Sequence, residues 1–524
     1  MGLKSSKYDA VFRKGILFIL VLKFVDACVE YSLVAIMITH ITEYGLVALP
    51  KAVSIVNVQD GTTAFLVLVV AFISDSYLGP FTSLVCTSLA YITGLWILYF
   101  YASHSESIKI LVLYAAVMLI ALGRAGCSIS LKEFIGDQLR ADDGSCDDDE
   151  RKEKQVERHT NTLWHYVYTL GLSASVYMIG KETWIQLCMI CGIAMGVAFM
   201  LFLAGSLLYE YSKPTKKSVI NNLWRVFYAA LVKRHLSHSG SHTSRFRWLD
   251  KAAVVESSPS VEEQVRKARL CTVEQVEEAK SLLNMVPLCT TFLVYGLLQA
   301  TGNTFFVEQA NYMNSNISVI SLVVIKTFTA VLVSWICNHV FAKFQSKNNP
   351  NAKLVMLVRI GIGMILSPIC CLVAWRVEVY RIENIVEKSV CISILWLAPQ
   401  FFLLGSMQGL VFDGLVEIYS SLVPASLNKY GPSFAEFSLG IGHFLSLIFV
   451  LVFHNLFGDS YEVSRFEVYY RNLGFVCLAN LLLYLCIIPY YLKQEPSDDV
   501  DQVTEELQSL EESCATVSSI KLEY

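Results

Sequence analysis

Residues 185–209 read IQLCMICGIAMGVAFMLFLAGSLLY. The stretch contains no Asp, Glu, Lys, Arg or His. As a helix rising 1.5 Å per residue it is roughly 37 Å long, enough to cross a hydrocarbon core of about 30 Å. In lipid it has to be a helix, because no water is present to satisfy the backbone of an isolated segment. Comparable runs recur at 15–38, 54–74, 81–102, 108–131, 162–180, 286–307, 317–341, 354–375, 391–412, 433–456 and 472–492, of which the second and fifth spans are the weakest. Composition agrees: the 524 residues are 54% hydrophobic and 16% charged, against about 25% charged in soluble domains. The mean hydropathy is +0.50. The expected fold is an all-α membrane protein of about twelve transmembrane helices, six plus six.

Between the two sets of six lies a polar stretch rich in Lys and Arg, including Lys216, Lys217, Arg225, Lys233, Arg234, Arg245, Arg247 and Lys251. Arg13 and Lys14 precede the first run, and Lys343, Lys347 and Lys353 follow the eighth. Short flanks rich in Lys and Arg mark the cytoplasmic side. The expected organisation is therefore a cytoplasmic N-terminus at 1–14, a bundle at 15–210, a central cytoplasmic loop at 211–285, a second bundle at 286–493 and an acidic cytoplasmic tail at 494–524. The charge-dense segment 137–160 and the tail read as solvated and partly disordered.

Other functional classes find little support. Most of the 15 cysteines sit inside apolar runs, where Cys behaves as a small hydrophobe; Cys188-x-x-Cys191 is read the same way. Asp147, Asp148 and Asp149 read as a solvated charge run, and His235, His238 and His242 fall among Ser and Gly, so no metal site is expected. No nucleophile–base pair or nucleotide loop is present, so neither catalytic residues nor a cofactor are expected. No basic patch with interleaved aromatics points to nucleic acid. The start fits an N-myristoylation pattern with Ser6, and Asn316-Ile317-Ser318 is a glycosylation sequon.

Ionisable residues inside spans are costly, so each is a functional candidate. Span one has Lys23, Asp26 and Glu30, whose spacings place them on one helical face. They form either a water-reached cluster for a charged solute or protons, or a structural ion pair. Lys326 lies near the middle of span eight and needs a carboxylate, a carbonyl or water. Arg124 lies in span four, His443 in span eleven, and Asp413 and Glu417 follow the apolar run of span ten. Gly405-x-x-x-Gly409 and Gly192-x-x-x-Gly196 allow close helix approach, with Gln408 beside the former.

Several motifs together resemble the plant nitrate and peptide transporter family (NPF), within the proton-dependent oligopeptide transporters. SDSYLG at 74–79 looks like A-D-S-[FY]-L-G-R. GRAGCSISLKEFIGDQL at 123–139 resembles the family's span-four element. LCTVEQVEEAKSLLNMVP at 270–287, TFFVEQ at 304–309 and WLAPQFFLLG at 396–405 also match. The resemblance runs over about residues 10–495. It implies a major facilitator fold, two six-helix bundles, proton symport of a small solute, and a plasma or vacuolar membrane.

The departures fall on functional positions. The family's span-one E-x-x-E-R aligns with Lys23, Asp26 and Ala27; its span-four Lys-Pro with Ser128 and Ile129; its span-ten Glu with Gln408; its span-seven His with Gln299; and Pro80 stands for an Arg. The candidate solute or proton pathway is Lys23, Asp26, Glu30, Tyr31, Ser128, Gln299, Lys326 and Gln408. The expected partners are a small solute, protons and the lipid bilayer; the oligomeric state is left open. Two readings stand: a transporter of a small solute (nitrate, peptide, hormone or another metabolite) with coupling residues rewritten, and a non-transporting sensor that retains the fold.

Overall fold

The computed structural model describes residues 15–43, 47–104, 110–142, 149–179, 183–211, 219–235, 246–255, 261–267, 269–314, 317–341, 352–458 and 460–492. The terminal segments, Asp147, Asp148, His238, His242, Asn316, Lys343 and Lys347 lie outside them. Among the described residues twelve long helical segments follow one another. Span one is Ile16–Val29, a π turn Glu30–Val34 and Met37–Glu43. Spans two to six are Leu49–Ile73, Gly79–Ser103, Ile110–Asp142, Asp149–Ile179 and Trp184–Ala204. Spans seven to twelve are Val273–Asn303, Ile320–Phe341, Ala352–Lys388, Ala398–Leu422, Gly431–Val452 and Phe466–Leu492. Among the described residues no strand forms beyond one bridge, Asn314 with Ser393, which ties the end of span seven's loop to the entry of span ten.

Nine helical segments among the described residues are long and apolar enough to cross a membrane, and one of them, Leu49–Ser103, contains spans two and three. Spans one and five are the remainder. The π turn interrupts the first, and the fifth begins with the polar DERKEKQVERH. That polar stretch is helical, as is the end of span four through Asp142, where the charge density alone suggests partial disorder. Its Glu, Lys, Arg and Gln are good helix formers, so the helices continue past the apolar runs.

Local chemistry sets where helices begin. Thr183 and Gln186 form a reciprocal capping box at the start of span six, and Thr272 and Gln275 do the same for span seven. Span seven therefore starts well before its apolar run, inside the segment read as loop, and carries Pro287 within it. The preceding segment contributes the amphipathic helix Val219–Val232. Its Val226, Ala229 and Ala230 bury against Leu249, Ala252, Cys271, Val276 and Ala279.

In the first half, span three packs on four and six, span two on four, and span one on five and six. In the second, span nine packs on ten and twelve, span eight on ten, and span seven on eleven and twelve. Span eleven meets span two across the halves, with Asn57 donating to Ser446 at 3.0 Å. At the end nearer the central segment, Asp75 takes Lys429 Nζ at 2.5 Å and the Tyr430 hydroxyl at 2.6 Å. At the other end, Phe305–Asn311 packs on Met37–Glu43. Outward faces stay apolar: Leu111, Met200, Phe328, Leu451 and Phe475 are all exposed, as lipid contact requires. The described cysteines are free thiols.

Close crossings are made by glycine. A Cβ on Gly405 would lie 2.1 Å from the Lys326 carbonyl oxygen, and one on Gly409 would lie 2.3 Å from that of Ala330. One on Gly296 would lie 2.1 Å from the Leu439 carbonyl, whereas Gly196 has nothing within 4 Å. Gly296→Val is expected to lower stability by about 1–3 kcal/mol or more, seen as a lower thermal unfolding midpoint in detergent. Gly196→Val serves as the control and should leave the midpoint unchanged; equal losses in the two variants would refute the close crossing of spans seven and eleven.

Candidate functional site

A charge inside a bundle has to find an opposite charge, a polar partner or water. Span one shows two of these solutions on one face. Lys23 Nζ donates to Asp26 Oδ2 at 2.7 Å, with side-chain exposures of 4% and 6%. The ammonium also sits 4.1 Å from the Trp164 ring centre and 5.1 Å from that of Tyr168, both in span five. This pair is enclosed within the first half.

Glu30, farther along the same helix, points to a different neighbour. Arg124 of span four reaches Glu30 Oε1 at 3.4 Å and Asp60 Oδ1 of span two at 2.9 Å. His443 Nε2, from span eleven in the other half, lies 3.7 Å from Asp60 Oδ2. These groups are partly exposed: Glu30 28%, Asp60 18%, Arg124 16% and His443 12%. One guanidinium thus joins three spans of one half at the surface that faces the other. Its planar fork can hold two carboxylates at once, which an ammonium does less well.

Further polar contacts cross between the halves. Ser128 of span four donates to Glu436 Oε1 of span eleven at 3.1 Å. Tyr31, in the π turn, donates to Thr327 Oγ1 of span eight at 3.4 Å, and its ring lies 5.1 Å from that of Tyr168. Within the second half, Lys326 Nζ donates to Asn303 Oδ1 at 2.6 Å. Gln299 donates to the Tyr295 hydroxyl at 3.0 Å and to the Leu404 carbonyl at 3.4 Å, and has no bond to the charged cluster. Gln408 is exposed and stands apart from these contacts.

The structure therefore brings Glu30, Tyr31, Ser128 and Lys326 to the surfaces between the halves. It pairs Lys23 with Asp26 away from them. Asp60 and Glu436 are two participants absent from the sequence-derived set. Each is a single carboxylate within an apolar run, at 54–74 and 433–456, and that burial cost was the available signal.

Asp413 and Glu417, by contrast, have a local use. Buried Arg359 of span nine donates to them at 3.0 and 3.3 Å, to Asn338 Oδ1 at 2.9 Å and to the Gly409 carbonyl at 3.0 Å. Ser334 also donates to Asp413. The result is a fastening of spans eight, nine and ten.

Breaking a buried ion pair by removing one partner typically costs about 3–5 kcal/mol, whereas replacing both by apolar groups of similar size is often neutral or better. Asp26→Leu alone should be strongly destabilised in thermal unfolding, and Lys23→Met combined with Asp26→Leu should recover most of the loss. A double variant no more stable than the single would show that the pair does more than neutralise itself.

The model of the PTR2 family, described as the POT family, matches residues 81–462. The Arabidopsis thaliana "Protein NRT1/ PTR FAMILY 5.5" is 30% identical over 86% of this chain and 92% of its own length. Among solved structures, the POT family transporter PepTSo superposes with a TM-score of 0.65 at 17% identity, over 90% of this chain and 98% of that one. A POT family transporter in complex with 5-aminolevulinic acid superposes at 0.64 with 13% identity, over 92% and 97%. With the family model matching well over half of the chain and a relative 30% identical along most of it, the chain belongs to the POT family of membrane transporters.

Proposed function

We propose that the chain is a secondary transporter that moves a small solute by alternating access, with the solute held between the two six-span halves. The observation that carries this reading is the partly exposed cluster Glu30–Arg124–Asp60, with His443 facing it from the opposite half. Mid-span charges contributed by both halves at their common surface are what a site exposed alternately to two sides requires. Ser128–Glu436 and Tyr31–Thr327 also cross the halves, so a rocking motion would break and remake them. The relative solved with 5-aminolevulinic acid supports a small organic solute as one class to test, beside nitrate and peptides.

The span-one positions that the family resemblance links to proton coupling fall on Lys23, Asp26 and Ala27, and here Lys23 and Asp26 are paired and enclosed. We place any coupled proton instead on the cluster around Arg124, where two carboxylates share one cation. The membrane we expect is the plasma or vacuolar membrane.

Uptake into proteoliposomes, with and without a pH gradient, tests the reading. Arg124→Gln should reduce flux by roughly tenfold or more, the scale of one lost charge-assisted contact, while Lys23→Met/Asp26→Leu should retain it. A folded protein that moves none of nitrate, dipeptides or small organic acids under either condition would instead favour a sensor.

A further inference from the structure

Inside the spans most cations hold a carboxylate. Lys23 has Asp26, Arg124 has Glu30 and Asp60, Arg359 has Asp413 and Glu417, and Arg381 has Glu378. Lys326 differs. Its ammonium donates to the neutral amide oxygen of Asn303 at 2.6 Å, and among the described residues no carboxylate lies within ion-pair distance. Lysine carries three donors and no acceptor, so two N–H groups are left without an acceptor among the described residues. The donor-only ammonium also fixes the Asn303 amide: its oxygen must face Lys326, which leaves its NH2 group, two more donors, on the other side.

This donor-rich corner is held rigidly. The Lys326 carbonyl is pinned against Gly405 of span ten, where a Cβ would approach to 2.1 Å. The next residue, Thr327, accepts the Tyr31 hydroxyl from the first half, so this turn of span eight lies at the surface between the halves. Asn303 is the last residue of its helix, and Lys326 and Asn303 are both only partly buried. Nearby His443 Nε2 lies 3.7 Å from Asp60 Oδ2, beyond hydrogen-bond distance. The charges within electrostatic reach, Glu30 and Asp60, belong to the other half and already hold Arg124. An entering anion would displace no partner of Lys326.

We propose that Lys326 and Asn303 form the subsite for an anionic group on the solute, so that the chain moves acids, a carboxylate or an oxyanion of similar size, in preference to neutral or cationic compounds. The proposal rests on the transport reading and assigns it a substrate class. The donors come from the second half, while the cluster around Arg124 belongs mainly to the first. A solute acid at Lys326 with its body toward Arg124 would thus touch both halves at once.

The test uses the purified full chain in detergent, with thermal shift and competition binding. The probes are nitrate and a set of small monocarboxylic acids, each paired with its primary amide. At least one acid or nitrate should bind, its amide should bind about tenfold or more weakly, and Lys326→Gln should lose the preference while Lys326→Arg keeps most of it. Nitrate and carboxylate arms separate an inorganic oxyanion from an organic acid. Amides that bind as well as acids, wild-type acid affinity in Lys326→Gln, or no binding of any anion would overturn the assignment. Flux measured in parallel keeps the two readings apart. Lys326-dependent acid binding without flux would leave the subsite standing and remove transport, and flux of neutral compounds indifferent to Lys326→Gln would do the reverse.

Discussion

No charge within a bilayer can be left to itself, and the arrangement of this protein follows from how each one is answered. Where the partner comes from the same helix or the same half, the result is a fastening. Lys23 with Asp26 and Arg381 with Glu378 are of this kind, and Arg359 ties span nine to the end of span ten. Where partners come from opposite halves, the contact lies on the surface along which the halves would move. Asp60 with His443, Ser128 with Glu436 and Asp75 with Lys429 are of this second kind. Side-chain identity alone does not separate the two; the origin of the partner does.

That distinction also explains what the amino-acid sequence could and could not reveal. The apolar runs are local properties, and a run of sufficient length has one stable form in lipid, so the helices and their six-plus-six division were readable directly. The family motifs added the fold. The stripe Lys23, Asp26 and Glu30 was correctly placed on one helical face, yet its members met different neighbours, Trp164 and Tyr168 at one level and Arg124 at the next. Those neighbours lie roughly 100 residues away or more in the chain, and spacing on one helix carries no information about them. Asp60 and Glu436 escaped for the same reason: each is solitary on its own helix and becomes part of a group only once the spans are packed. The polar stretch after span four misled in the opposite sense, because charge density measures solvation and not backbone conformation.

The crossings are set by absence of side chains as much as by their presence. Gly296 and Gly442 let spans seven and eleven approach backbone to backbone, and Gly405 and Gly409 do so for spans eight and ten. Without a hydrophobic effect between helices in lipid, such contact supplies much of the attraction. It also explains how a lysine in span eight can be held in a defined place without a salt bridge.

The turn Glu30–Val34 is wound with one residue more than an α-helical turn would hold. The wider turn takes up that residue locally: five residues wound this way cover about the rotation of four in an α-helix, so the segment after it keeps its facing. Deleting one residue within the turn would therefore remove the widening and leave Met37–Glu43 facing Phe305–Asn311 as it does now. What such a deletion would change is the turn itself, which sets Glu30 beside Arg124 and Tyr31 beside Thr327, so a one-residue gap here would alter the site while sparing the closed end of the bundle.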